Sequence, residues 1–516
     1  MKMTKNTVGR SIPDVLNGKK LIPFTGKGKG PYTERKYAPK IRKIIPGENK
    51  VIKSLREAIK KGELTDGGTI SFHHHFRNGD YLLNMVCHEV ANMGLKDIRL
   101  VPSSIQPINN ELLPYLEKGI ISHINCGTSG AIADGISKGK MEGILTIRSH
   151  GGRARSIENG DVEIDIAFIA SPTSDSYGNI NGVHGKYACG SLGYAFPDAQ
   201  FANYVVAVTN TLVPYPNNPI SISQDHVDSI VVLDKPIGDP AGIVSTTLRV
   251  TRDPKGLKIA KECIEVIKSS SLLKDGFSFQ SGAGGTALAA TSFLHQHMKT
   301  KGIKGSFGMG GATEALVRML EDDLFEAILD VQSFDTYAVQ SLLNNPKHIE
   351  MGASQYANPL SSGCAVNLLD TVILGGTEVD TKFNVNTSTE SDGRIMHGMG
   401  GHQDTSEGAK LTIIAVPLLR GRLPMIVEDV VSINSPGENI DVIVTERGIA
   451  VNPESQYYEI LTRSKNLNIK EIEELKKEAE QMVGGKPKEP ETTDRIVGMI
   501  EYRDGSILDV IYQVKD

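Results

Sequence analysis

The chain has 516 residues, 39% of them hydrophobic and 23% charged, with 53 glycines and a formal net charge of −5. That length exceeds one ordinary core and predicts two or three domains, and the glycine content favours an α/β protein with many tight loops over a helical bundle or coiled coil. The small net charge gives no argument for nucleic acid or an anionic membrane surface. No apolar run approaches the length of a membrane span. The five cysteines (Cys87, Cys126, Cys189, Cys263, Cys364) include no Cys-x-x-Cys pair, as expected of reduced thiols in a cytoplasmic protein.

Residues 1 to about 50 are rich in Lys, Gly and Pro without sustained periodicity. They predict an extended basic arm, either wrapped on a neighbouring domain or subunit or partly disordered. Apolar spacing then predicts a helix from Val51 to Lys61. Ile70-Ser71-Phe72 reads as a strand, HHHFRNGD (73–80) as a polar loop, Tyr81 to Met93 as an amphipathic helix and Ile98 to Val101 as a second strand. This is a βαβ unit. Ligands collect at the carboxyl ends of such strands, so the loop at 73–80 is expected to face a cleft. His73 and His75 share a face if that segment is extended and are expected among the substrate contacts. No Asp, Glu or Cys accompanies them at ligand spacing, so no metal site is expected.

Ile144–Ile147 and Ile164–Ala170 are further predicted strands. Between them, the loop RSHGGRAR (148–155) places Arg148, His150, Arg153 and Arg155 within eight residues. Arginine forks suit carboxylates and phosphates. Each arginine alone reads equally well as a solvated loop residue, but the cluster is expected to bind an anion.

After about Asp234, KPIGDPAG reads as a linker and a second βα series begins, with a helix at 257–268 and a strand at Phe277. Gly282, Gly284 and Gly285 precede the next helix, where free N–H groups suit a phosphate or carboxylate. Gly308, Gly310 and Gly311 repeat the device. The pattern predicts an arm at 1–50 and two related α/β halves at 51–235 and 236–516. The second half is expected to carry a charged helix at 468–483 and a hairpin, 496–502 and 507–514, around Asp504-Gly505.

The densest stretch is SDGRIMHGMGGHQDT, in which Gly398-Met399-Gly400-Gly401 precedes His402-Gln403-Asp404 and then a buried strand from Leu411 to Val416. Bare amides at Gly400 and Gly401 suit a carbonyl oxygen that becomes negative during reaction. A short glycine motif by itself more often marks only a tight turn.

Together, Asp66 to Arg99, the loop 148–182, residues 366–411 and VTERGIAVN (444–452) resemble the CoA-transferase superfamily. SFHHHFR and SDGRIMHGMGGHQDT extend the likeness, over nearly the whole chain, to its citrate lyase α-subunit family. The resemblance implies an α/β fold of two related open CoA-transferase-type domains with the active site between them. It implies an oligomeric complex with a β subunit (citryl lyase) and a γ subunit (acyl carrier protein). The implied reaction exchanges acetyl thioester and citrate for citryl thioester and acetate. Acetyl-CoA or a carrier-linked phosphopantetheine-type thioester would be the substrate, the prosthetic group belonging to the carrier, so that no cofactor is bound covalently here.

Related transferases that form a glutamyl thioester carry a Glu in the second half. The corresponding segment, residues 305–310, has no carboxylate, and Glu314 is the nearest downstream. The family expectation is therefore a non-covalent path through a mixed anhydride. On this basis Arg148, His150, Arg153 and Arg155 are assigned to citrate and Gly400 and Gly401 to the oxyanion or thioester. His402, Gln403 and Asp404 are assigned to orienting that loop. A thioester hydrolase on the same fold and a scaffold subunit of the complex are the alternatives.

Overall fold

The computed structural model describes residues 2–30, 47–244, 250–282 and 284–515. Two large, mostly parallel sheets organise it. Their central strands, Thr69–Phe72, Ile166–Ala170 and Tyr204–Thr209 in the first and Thr371–Leu374 and Leu411–Ala415 in the second, are buried at every residue. Sheets covered by helices on both faces require such strands. Counting seven strands of each half in chain order, from Thr69–Phe72 and from Ser278–Ser281, gives the order 4-3-2-1-5-6-7 in both sheets. The expected relation between the halves is thus a shared winding. In each, the strand order reverses beside the first strand, between Thr69–Phe72 and Ile166–Ala170 and between Ser278–Ser281 and Thr371–Leu374. Crevices for ligands open at such reversals, at the carboxyl ends of the strands.

Three expectations change. RSHGGRAR is not a loop: Ser149 accepts a hydrogen bond from Gly152 N and caps a helix over His150–Glu158. Gly308, Gly310 and Gly311 lie inside the strand Gly305–Ala312. The C-terminal hairpin, Thr492–Glu501 and Ile507–Val514, joins the first sheet instead of the second, with Gly498 opposite Leu145 and Ile500 opposite Ile147. Leu145–Ile147 is wholly buried and would otherwise be an unpaired edge. The start of the basic arm is built onto this hairpin. Ile12, Leu16 and Leu21 share a cluster with Met499, Ile507 and Val510, and Asn6 Nδ2 donates to Leu508 O at 2.8 Å. Residues 31–46 of the arm lie outside the described residues.

The end of the first hairpin strand clasps the halves together. Glu501 takes a two-point fork from Arg148, Nε and Nη2 each at 2.8 Å, and a bond from Arg155 Nη2 at 3.0 Å. Burial works to raise the Glu501 pKa, but the two arginines outweigh it and hold it low. Tyr502 donates to Glu407 at 2.8 Å and accepts from Asn439 at 2.7 Å. Arg503 Nη2 donates to Ala357 O at 2.6 Å and its Nε lies 3.3 Å from Asp404 Oδ1. Asp404, on the helix His402–Gly408, also accepts from Ser149 Oγ at 2.8 Å and Gly151 N at 2.9 Å. A carboxylate of the second half thus caps the helix that begins at His150 in the first, where the dipole favours negative charge.

Removing Arg503 would strand a buried carboxylate and a buried carbonyl, so Arg503→Ala is expected to cost on the order of 3–5 kcal/mol in denaturant unfolding. A loss below about 1 kcal/mol would show that the clasp is not holding the halves. Burial raises the Asp404 carboxyl to about 6, against the pull of Arg503. A folded pKa above the unfolded one gives stability that is present below the unfolded pKa and lost as pH rises through about 6. The Asp404 contribution therefore falls by about 3 kcal/mol between roughly pH 4 and pH 7. Asp404→Asn cannot titrate, so the stability difference between parent and variant should move in the parent's favour by that amount on acidification. A difference independent of pH would contradict the raised pKa.

Candidate active site

The carboxyl end of Thr69–Phe72 delivers the histidines to the meeting of the halves. Among them His74 faces the interface. Its Nδ1 lies 2.5 Å from Ser103 Oγ, and its carbonyl accepts from Gln332 Nε2 of the second half at 2.7 Å. Its ring stacks on Tyr194 at 5.4 Å, and Tyr194 lies 4.2 Å from the ring of His150. Burial, then the Arg153 and Arg77 charges, lower His150 to about 3. Burial and the His150 and Arg77 charges hold His74 well below its ordinary value. Both are neutral imidazoles at physiological pH and present one donor and one acceptor each.

Arg77 completes this group. It has φ +51°, an uncommon conformation for a residue with a side chain, and its guanidinium lies 4.5 Å from the centroid of the Phe334 ring. Gly311 makes room for that ring, since a Cβ there would collide with it. Burial lowers the Arg77 pKa. Among the described residues no carboxylate stands within ion-pair distance of it. Arg77 is thus a half-buried cation with no counter-ion among the described residues, and its charge acts on His74, His150 and Tyr194.

Across from it, the glycine loop enters from the second half. His150 N donates to Gly400 O at 3.0 Å. Gly400 has φ +59°, and a Cβ on it would sit 3.6 Å from His150 Nε2. Gly398 packs backbone to backbone on Gly127, an approach that a side chain on either would block. Among the described residues the amides of Gly400 and Gly401 donate to no protein acceptor. His402 is a strut: Nε2 lies 3.0 Å from Gly375 O, an acceptor only, so Nε2 carries the proton and Nδ1 accepts from Ser435 Oγ at 2.7 Å. Burial lowers it to about 4. The Gln403 amide is buried without a partner among the described residues. Gln280 Nε2 donates to the Tyr356 hydroxyl at 3.0 Å, leaving Oε1 unpartnered, and Gly310, at φ +102°, leaves space for that side chain.

The arginines expected to bind the anion are already committed. Arg148 and Arg155 hold Glu501. Arg153 forks onto Asp198 at 2.9 and 2.6 Å and onto Val101 O at 2.7 Å. All three are buried, and a buried guanidinium matched to a carboxylate has little left for a ligand. His73 and His75 lie behind the cleft, their ring centroids 5.4 Å apart and His73 Nε2 3.9 Å from Asp198, and burial keeps both neutral. Gly308 packs against Leu316, whereas Gly284, ahead of the helix Gly285–Lys301, has open space on its Cβ side. Of the expected residues, the structure brings His150, Gly400 and Gly401 together at the interface. The structure adds His74, Arg77, Tyr194, Gln280 and Tyr356, none of which the sequence singled out, to the same region. Arg77 carried a signal, as the one cation in HHHFRNGD after a strand. Tyr194 carried none.

The family model for the citrate lyase α subunit matches residues 48–514. The chain is 46% identical to the citrate lyase alpha chain of Haemophilus influenzae, over 91% of this chain and 94% of that one. It is 43% identical to that of Klebsiella pneumoniae, over 99% of both. The crystal structure of the citrate lyase α subunit from Streptococcus mutans in complex with citrate superposes with a TM-score of 0.94, at 46% identity over 99% of this chain and all of that one. With these matches and the doubly repeated CoA-transferase winding, the chain belongs to the citrate lyase α-subunit family.

Proposed function

We propose that this chain is the citrate CoA-transferase of a citrate lyase complex. It moves a thiol carrier from acetyl thioester to citrate, releasing acetate and forming citryl thioester for a β subunit to cleave, with an acyl carrier γ subunit bearing the thiol. The observation that carries the reading is Arg77, a half-buried cation with no counter-ion among the described residues, beside neutral His74 and His150 and the Tyr194 ring, in the half whose His150 N bonds Gly400 O. A di- or tricarboxylate supplies the missing negative charge. The relative from Streptococcus mutans solved with citrate supports the same ligand.

The chemistry follows from the charges. Carboxylic acids titrate around 4, so citrate arrives ionised and needs no general base. One carboxylate oxygen attacks the acetyl carbonyl, the C–S bond breaks and the thiolate leaves, giving a mixed anhydride. The thiolate then attacks the citryl carbonyl carbon, the bond from that carbon to the bridging oxygen breaks, and acetate departs with that oxygen. No proton is consumed. Arg77 gathers the carboxylates, the imidazoles of His74 and His150 and the Tyr194 hydroxyl orient them, and the Gly400 and Gly401 amides meet the developing oxyanion. Arg148, Arg153 and Arg155 hold the frame. The division of the chain near residue 235 separates the half that grips citrate from the half that presents the thioester. The absence of a carboxylate from residues 305–310 supports a path without a glutamyl thioester.

Arg77→Ala is expected to raise the citrate KM and lower citryl-CoA formation from acetyl-CoA by on the order of a hundredfold or more, with unfolding stability nearly unchanged because no buried carboxylate is stranded. Arg153→Ala should instead destabilise the chain. Equal losses of stability in the two would remove the distinction. Gly400→Val, strained at positive φ, should lower kcat far more than KM. Hydroxylamine or borohydride added during turnover should trap no acylated enzyme, and recovery of one would refute the non-covalent path. Acetate release without citrate would favour the hydrolase.

A further inference from the structure

A second surface stands out from a chain whose net charge is negative. A groove of 630 Å³ is walled by the turn Ser391–Arg394, the tip of the Leu419–Arg420/Leu423–Pro424 hairpin, and the segment from Val483 to Glu491 with Lys515. Five cations line it. Arg394 is held by Asp392 at 3.5 Å, but Arg422, Lys486, Lys488 and Lys515 are exposed and form no ion pair among the described residues. Glu489 and Glu491 are the other acids in the lining, so five cations meet three acids and the groove is net positive. Exposed Leu423, and Pro487 and Pro490, give it an apolar floor beside the charges.

Both walls lead to the active site. Arg394 O accepts from Glu390 N and Ser388 O from Met396 N, so the turn is the tip of a ladder whose outgoing limb runs into the glycine loop. Gly400 follows Arg394 by six positions, which keeps their Cα atoms within about 21 Å. On the other wall, Arg420 Nη2 donates to Gly376 O at 3.2 Å, just past the carboxyl end of Thr371–Leu374. A protein seated in the groove is therefore within the span of a pantetheine-type arm reaching Gly400 and the second sheet's crevice.

We propose that this groove is the docking surface for the carrier protein, which presents an acidic face to Arg422, Lys486, Lys488 and Lys515 while its arm enters the cleft. The inference rests on the proposed transferase reading, because it supplies the partner. Rim charges of this kind act mainly on encounter rate and specificity and are screened by salt.

The test uses the full chain and the purified carrier subunit bearing an acetylated arm, with free acetyl-CoA as the donor that has no protein surface. In Arg422→Glu/Lys488→Glu, the ratio of KM for carrier-linked donor to KM for acetyl-CoA should rise at least tenfold. That rise should shrink as salt is added. The same reversal at Arg463→Glu/Lys465→Glu, with Arg463 in a separate cleft beside Glu265 and Lys268, should leave the ratio alone. An unchanged ratio in the groove variant overturns the proposal, and so does an equal rise in the remote variant. Direct binding of labelled carrier to parent and groove variant, measured by fluorescence anisotropy, decides docking even if the parent makes no citryl-CoA. Equal affinities overturn the groove, whereas absent citryl-CoA with acetyl-CoA and citrate overturns the transferase reading alone.

Discussion

Arg503 stands where three parts of the chain meet: the hairpin that ends the sequence, the helix that begins at His150 and the helix that carries Asp404. Its neighbours Glu501 and Tyr502 extend the contact to Arg148, Arg155, Glu407 and Asn439. Buried ion pairs of this kind contribute little net stability compared with well-packed apolar groups, but they are costly to break from one side. Their value here is geometric. A carboxylate that must cap one helix while lying on another fixes the distance between the halves, and the line of contact from Gly127–Gly398 to His150–Gly400 follows from it.

That division of labour accounts for most of the positive charge near the cleft. Four guanidinium groups, those of Arg148, Arg153, Arg155 and Arg503, are matched to carboxylates or carbonyls, and the histidines around them are neutral because burial forbids a second positive charge. Arg77 stands beside them as a half-buried cation with no ion-pair partner among the described residues. Phe334 supports it through its ring face, a weak attraction that leaves the guanidinium edge free for a ligand. A site that must hold a polyanion and also let one of its carboxylates attack gains from a single strong cation flanked by neutral donors, since several would hold the nucleophilic oxygen too tightly.

The α/β class, the strand–helix alternation and the importance of the glycine loop were legible because they depend on local patterns: buried β-branched runs, helical spacing and glycine density. What the sequence hid was pairing over long separations. Nothing in RSHGGRAR shows that Arg148 and Arg155 meet a glutamate about 350 positions later, so a cluster of structural arginines looks the same as an anion site. The hairpin's true sheet was hidden for the same reason, since its alternation specifies a half-buried strand but not its neighbour. Gly308, Gly310 and Gly311 illustrate another ambiguity. Glycines that clear space for Leu316, Gln280 and Phe334 have the same signature as glycines that clear space for a phosphate.

The doubled winding gives the molecule two crevices, and the clasp brings them face to face. The two halves bring different groups to their meeting: Arg77 and the imidazoles of His74 and His150 stand on the first, and the Gly400–Gly401 amides on the second. Any exchange between activated acyl groups competes with hydrolysis, so such a site gains from closure of its two sides. Backbone-to-backbone contact at Gly127–Gly398 and the fit of Gly151 beneath Ala357 O achieve that closure with main chain, which cannot swing aside as a side chain would. Apart from Gly400 and Gly401, the glycines at this seam thus act through packing, by letting the main chains of the two halves approach closely.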